Sequence, residues 1–270
     1  MLEAQAEAVL RQQRGVAGTG GALVVGPGGG AEARGSITPV PERLWASRNV
    51  ANNLMRFGEP MQVGEAVGML EEAVSAARQH YGADHPAQLP VLLDLVAALA
   101  AAAANEAAAA GPEAGGQQAQ GGGAEGRPPA AVRLDVATEE LMALVTALCD
   151  RYQSARDPLS CVLLLEAAGA EVGAALRAAQ GRSGAAAARG GGGAAAALAA
   201  AAELAAELMY ALKPPEARAV MTARRDGELP RLLRRLARDF TEELGAYAAG
   251  KRNRWVDAWN RREKLPPLRP

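Results

Sequence analysis

Both histidines of this 270-residue chain fall in one short stretch, His80-Tyr81-Gly82-Ala83-Asp84-His85-Pro86-Ala87-Gln88-Leu89. Two imidazoles with a carboxylate between them could ligate a metal or act as an acid–base pair. Either chemistry needs further groups that converge on the pair. Zinc takes three or four ligands; the nearby Glu71, Glu72 and Asp84 are accounted for by helix faces and capping, and Cys149 and Cys161 lie more than sixty residues further on. The Gly-x-Ser-x-Gly elbow of a serine nucleophile is missing. The paired carboxylates Glu139-Glu140 and Glu242-Glu243 sit in amphipathic text, as solvated faces do. The stretch GALVVGPGGG resembles a phosphate loop but lacks the Gly-Lys-Ser/Thr ending and the helix that must follow. The expectation is a non-enzyme with no catalytic residue, no metal and no cofactor.

The alternative use of the histidine stretch is as punctuation between two helices, which the surrounding text supports. From Leu44 onward apolar residues recur at helical spacing: Leu44, Ser47, Val50, Ala51 and Leu54 form one face. Phe57-Gly58-Glu59-Pro60 ends that helix, because proline cannot continue it. A second helix carries the stripe Val63, Ala66, Val67, Leu70, Ala73, Val74 and Ala77 and stops at Gly82. Asp84, read as an N-cap, and Pro86 in the first turn then open a third helix, with Leu89, Leu92, Leu93, Val96 and Leu99 inside.

The residues Asn52-Asn53-Leu54-Met55, Gly58, Glu65-Ala66, Met69-Leu70-Glu71-Glu72-Ala73 and Tyr81-Gly82-Ala83-Asp84-His85-Pro86 resemble a tetratricopeptide repeat (TPR) of the longer, kinesin-light-chain-like kind. The resemblance spans residues 44–104. It implies an all-α chain, a short right-handed superhelical solenoid of antiparallel helix pairs, degenerate and interrupted by low-complexity insertions. A shift of 41 residues starts a second repeat, in which Leu54 falls on Leu95 and Glu65-Ala66 on Glu106-Ala107. Two parities remain open beyond the first insertion. Residues 132–154 and 158–180 are either the two helices of a third unit, or the displaced second helix of repeat two followed by the opening of repeat three. The domain reading is a flexible Gly-rich segment at 1–43, repeats at 44–212 with insertions at about 110–131 and 181–193, and a basic helical region at 213–270 with a Pro-rich tail.

The resemblance places Asn49, Asn52 and Arg56 on the concave face that holds peptides in this family. There the asparagines would hydrogen-bond a peptide backbone and Arg56 would pair with a carboxylate. The plainer reading is an ordinary polar helix face, and the matching positions of repeat two, Pro90, Leu93 and Ala97, are apolar. A second candidate is GKRNRWVDAWNRREKLPPLRP, where Trp255 and Trp259 lie four apart among arginines that include Arg262. It reads as a capping helix docked on its neighbours, or as a partner-binding helix, or as a surface for nucleic acid or a membrane.

Net charge is −1 but unevenly spread: residues 216–270 hold 14 basic and 8 acidic groups, leaving 15 basic and 22 acidic groups elsewhere. The partner expected is a protein or peptide, with nucleic acid bound by the Arg-rich C-terminal third as the alternative. Aromatics are only 3% and much of the apolar fraction is alanine. With alanine set aside as weakly apolar, the reading predicts no transmembrane segment. Two cysteines in apolar helical text and an N-terminus bearing Glu3 and Glu7 suggest an intracellular, cytoplasmic chain, with organellar targeting not excluded. Oligomeric state is left open.

Overall fold

The computed structural model describes residues 40–59, 61–110, 128–180, 192–248 and 254–269. All of these belong to the second of two units, Pro39–Pro270; the first is Met1–Thr38. The expected glycine-rich N-terminal segment and GALVVGPGGG, and the bodies of both insertions, lie outside the described residues.

Among the described residues the chain is all-α. Its helices are α1 (Val40–Phe57), α2 (Gln62–Tyr81), α3 (Leu89–Ala110), α4 (Ala130–Ser154), α5 (Pro158–Gln180), α6 (Gly192–Tyr210), α7 (Pro214–Arg225), α8 (Leu229–Ala248) and α9 (Arg254–Asn260), with one 3-10 turn at Pro86–Gln88. Packing follows chain order from α1 to α6, each helix against the next. In addition α3 packs on α5, α4 on α6, and α8 lies against α5, α3 and α1.

Several helix ends have a local cause. Gly58 closes α1: its N–H donates to the Leu54 carbonyl at 2.8 Å, and a Cβ there would strike that same carbonyl oxygen. Gly82 stops α2 at φ 93°, a positive value open to glycine, with its N–H on the Arg78 carbonyl. The predicted cap of the next turn is corrected. Asp84 is exposed, and His85 does the capping, its Nδ1 accepting from the Ala87 N–H at 3.1 Å. Pro86 follows at a position where a missing N–H is harmless. Asp157-Pro158 opens α5 in the same manner, the Asp157 carboxylate accepting from the Ser160 N–H at 3.2 Å.

The two long connections share one device. Glu106 near the end of α3 accepts the Ala130 N–H at the start of α4, at 3.1 Å. Asp135 of α4 accepts the Ala194 N–H at the start of α6, at 2.9 Å. Each carboxylate satisfies a first-turn amide that has no partner inside its own helix and sits at the positive end of the helix dipole.

The core explains the alanine. Leu70, Leu92, Leu141, Leu148, Leu163, Leu164 and Leu233 are buried, each contributing about 1.5–3 kcal/mol. Fully buried Ala51, Ala66, Ala77, Ala98, Ala167 and Ala168 lie between them, where small side chains let helix axes approach. Ion pairs bridge α2 and α4, which are not packed directly on one another: Arg78–Glu140 at 2.9 Å and Arg133 on Glu71 at 2.7 Å; partly exposed pairs of this kind add about 1 kcal/mol or less each.

Two expectations are overturned. Among the described residues three helices, Pro86–Ala109, Pro158–Gln180 and Gly193–Tyr210, are long and apolar enough to cross a membrane. That corrects the prediction of no transmembrane segment, and the same three segments point away from the intracellular, cytoplasmic assignment. The error came from setting alanine aside: a run of alanine methyls with few charges is apolar enough to count. The three segments differ in how much the fold covers them, with 67%, 50% and 17% of their apolar windows buried.

Candidate functional site

The structure gives the histidine stretch a packing role. His80 is exposed at the end of α2, whereas His85 is 6% exposed. The His85 ring stacks on Tyr81 at 5.1 Å and meets the edge of Trp259 at 6.4 Å. Burial lowers its pKa from the usual 6.5 to about 4, with a hydrogen bond to Asn260 opposing and the charge of His80 reinforcing the shift. Gln88 holds the turn from beneath, its amide donating to the Gly82 and Ala83 carbonyls. Among the described residues no group of three His, Cys, Asp or Glu side chains could hold a metal ion. Cys149 and Cys161 are buried free thiols, with the Cys149 Sγ 3.7 Å from the Cys161 carbonyl oxygen. The hydrogen bond between the two thiols, together with burial, raises the Cys149 pKa, so it stays protonated and a poor nucleophile.

The strongest candidate is a cleft of about 430 Å³ between α1, α3, α5 and α8. α1 presents Arg48, Asn52, Met55 and Arg56, which share a face because they are four, three and one apart. α3 supplies an apolar floor from Pro90, Leu93 and Ala97 around one carboxylate, Asp94. α5 adds Glu171, and α8 adds Arg234 and Arg238.

The electrostatics follow from the pairing. Arg48 forms an ion pair with Asp94, whose Oδ2 also accepts from the Asn52 amide at 3.0 Å. Arg234 makes a two-pronged pair with Glu171 at 2.6 and 3.1 Å, which raises the Arg234 pKa further. Four guanidiniums against two carboxylates leave the cleft with two positive charges. The excess sits on Arg56 and Arg238, which are exposed and have no ion-pair partner among the described residues. An apolar floor bordered by two free guanidiniums and a partly used amide can hold an extended, anionic segment.

Compared with protein-family models, curated proteins and solved structures, the chain finds no match. The site is therefore read from its own geometry.

The six sequence-predicted binding residues fall in two places. Asn52 and Arg56 line the cleft, together with Pro90, Leu93 and Ala97, while Asn49 is exposed outside it. Trp255 is 3% exposed and part of the core, and Trp259 is half-buried against His85 and under the Arg151 guanidinium, 4.8 Å from its ring centre. Arg151 also donates to the Trp259 carbonyl at 2.5 Å. Both tryptophans are thus engaged within the chain. Arg262 is exposed in the turn that leaves α9. Sequence reasoning missed Arg48, Asp94, Glu171, Arg234 and Arg238. One signal was available: Asp94 interrupts the apolar first half of α3, and a charge so placed calls for a cationic partner.

Proposed function

We propose that the chain is a non-enzymatic protein-interaction scaffold, a short superhelix of tetratricopeptide-like helix pairs that holds an extended acidic segment of a partner protein in the cleft between α1, α3, α5 and α8. The observation that carries this reading is a pair of exposed guanidiniums, Arg56 and Arg238, without an ion-pair partner among the described residues and lining one apolar-floored volume. The packing order supports the repeat architecture: consecutive helices pair, and α3–α5 and α4–α6 stack one repeat on the next. This pattern favours the parity in which α4 completes repeat two and α5 opens repeat three.

In this reading Asn52 donates to or accepts from the partner's backbone, Leu93 and Ala97 pack against an apolar side chain, and Arg56 and Arg238 take its carboxylates. The test is retention of a random decapeptide library on the full chain. Acidic peptides are expected to be enriched, with affinity falling tenfold or more in Arg56→Glu combined with Arg238→Glu, variants at exposed positions that leave the helical spectrum unchanged. No enrichment, or enrichment that survives the double substitution, refutes the cleft. Binding to random-sequence DNA that persists at about 0.15 M salt would replace this reading with the nucleic-acid alternative.

A further inference from the structure

After α9 the chain leaves helical structure, and residues 263–269 run on with contacts to α4, α5 and α8. Leu265 and Leu268 are 1% and 7% exposed, while Pro266 is half-buried and Pro267 exposed. Outside a helix, and with two prolines that have no N–H, the segment has its backbone groups satisfied from outside.

The groove supplies those bonds from side chains. The Tyr152 hydroxyl donates to the Pro266 carbonyl at 3.1 Å. The Leu268 N–H donates to Ser160 Oγ at 2.8 Å, and that hydroxyl in turn donates to Asp157 Oδ2 at 2.9 Å. Arg235 donates to the Arg269 carbonyl at 2.5 Å. Side chains reading a peptide backbone beside two leucine seats are the components of a receptor for a proline-rich peptide.

The turn into this segment is exposed from Arg261 to Lys264 and strained. α9 ends in a paired motif, Arg262 N–H on the Trp259 carbonyl and Glu263 N–H on the Ala258 carbonyl, which forces its central residue into the left-handed region. At the end of α7 the same motif uses Gly227 at φ 67°. Here it uses Arg262 at φ 56°, at a cost of about 1 kcal/mol. The groove contacts do not depend on which copy supplies the peptide, and the strain falls on the residue that would open.

We propose that the groove between α4, α5 and α8 is an exchangeable peptide site whose trans partner is a second copy of this chain: the Leu265–Arg269 segment of one copy docks in the groove of another, and the exchange is reciprocal. Docking within one copy benefits from a millimolar-range effective concentration, so the dimer forms at high protein concentration or when the Arg262 turn cannot close.

Substitutions at Arg262 separate the two forms. Glycine relieves the strain and favours the closed monomer. Proline, locked near φ −65°, cannot make the turn and drives exchange. Sedimentation velocity of the full chain should show a concentration-dependent dimer, weakened in Arg262→Gly, strengthened in Arg262→Pro, and lost when Leu268→Asp is added. A monomeric Arg262→Pro chain with native helicity, or a dimer that survives Leu268→Asp, overturns the proposal. Should Arg262→Pro fail to fold, the wild-type chain decides. Two differently labelled samples mixed at about 200 µM should show energy transfer that a synthetic LPPLRP peptide abolishes; absent or peptide-insensitive transfer overturns the exchange.

Discussion

His85 makes the fold sensitive to acid, and the size of the effect follows from its surroundings. Its ring titrates at about 4 in the folded chain instead of the usual 6.5. Between those values the unfolded chain binds the extra proton and the folded chain does not. The buried neutral ring therefore contributes its full stability above pH 6.5, and that contribution is lost as pH falls through 4. Between about pH 7.5 and about pH 5 the linkage integrates to a loss of about 2 kcal/mol. The comparison variant is His85→Asn, whose side-chain oxygen can still accept from the Ala87 N–H but has no proton to gain. Urea unfolding at both pH values measures the loss. Carboxylates titrate in both proteins and cancel, so the wild type should lose about 2 kcal/mol more than the variant. The His85 ring resonance should also titrate below pH 5, assigned by its survival in His80→Gln. Equal losses in the two proteins would refute the burial argument, as would a His85 midpoint near 6.5.

Four other outcomes are expected. Arg156→Gly should raise stability by about 1 kcal/mol in thermal unfolding, because Arg156 sits at φ 57° in a helix-ending motif that glycine adopts without strain. Gly58→Ala should cost about 1–3 kcal/mol, since the added methyl meets the Leu54 backbone carbonyl and not a side chain that can move aside. Leu164→Ala, at the fully buried centre of α5, should cost about 2–5 kcal/mol in urea unfolding. Asp94→Asn removes the carboxylate that holds Arg48, so the cleft gains a positive charge; acidic peptides should bind several-fold tighter in polarisation titrations, while stability falls by about 1 kcal/mol.

The part of this fold written in local periodicity was readable in advance. The stripe from Val63 to Ala77 is the set of residues α2 buries, because one apolar face per 3.6-residue turn leaves a direct mark on the sequence. Of the set read for α3, Leu89, Leu92, Val96 and Leu99 are buried, while Leu93 is half-buried and lines the cleft. What was not readable depends on partners far apart in the chain. Arg48 meets Asp94 across 46 residues and Arg234 meets Glu171 across 63, and neither separation has a signature in composition or spacing. Half of the cleft was visible as Asn52 and Arg56; the half contributed by α8 was not, because the text of α8 declares a basic face without saying what that face opposes. The cap at His85 shows a subtler limit. Asp84 has the better capping chemistry by type, but Pro86 fixes where the turn begins and leaves His85 in the capping position.

The carboxylates of Glu106 and Asp135 bear on how this chain can change over evolutionary time. Each holds the first turn of the helix that follows a long connection, Glu106 from the helix before it and Asp135 from α4, so that first turn is fixed by a carboxylate on another helix. A glycine–serine insert that doubled either connection would cost only about 0.6 kcal/mol in closure entropy. A reporter domain inserted in either connection is therefore expected to leave the two first-turn contacts, and the helix starts they hold, in place.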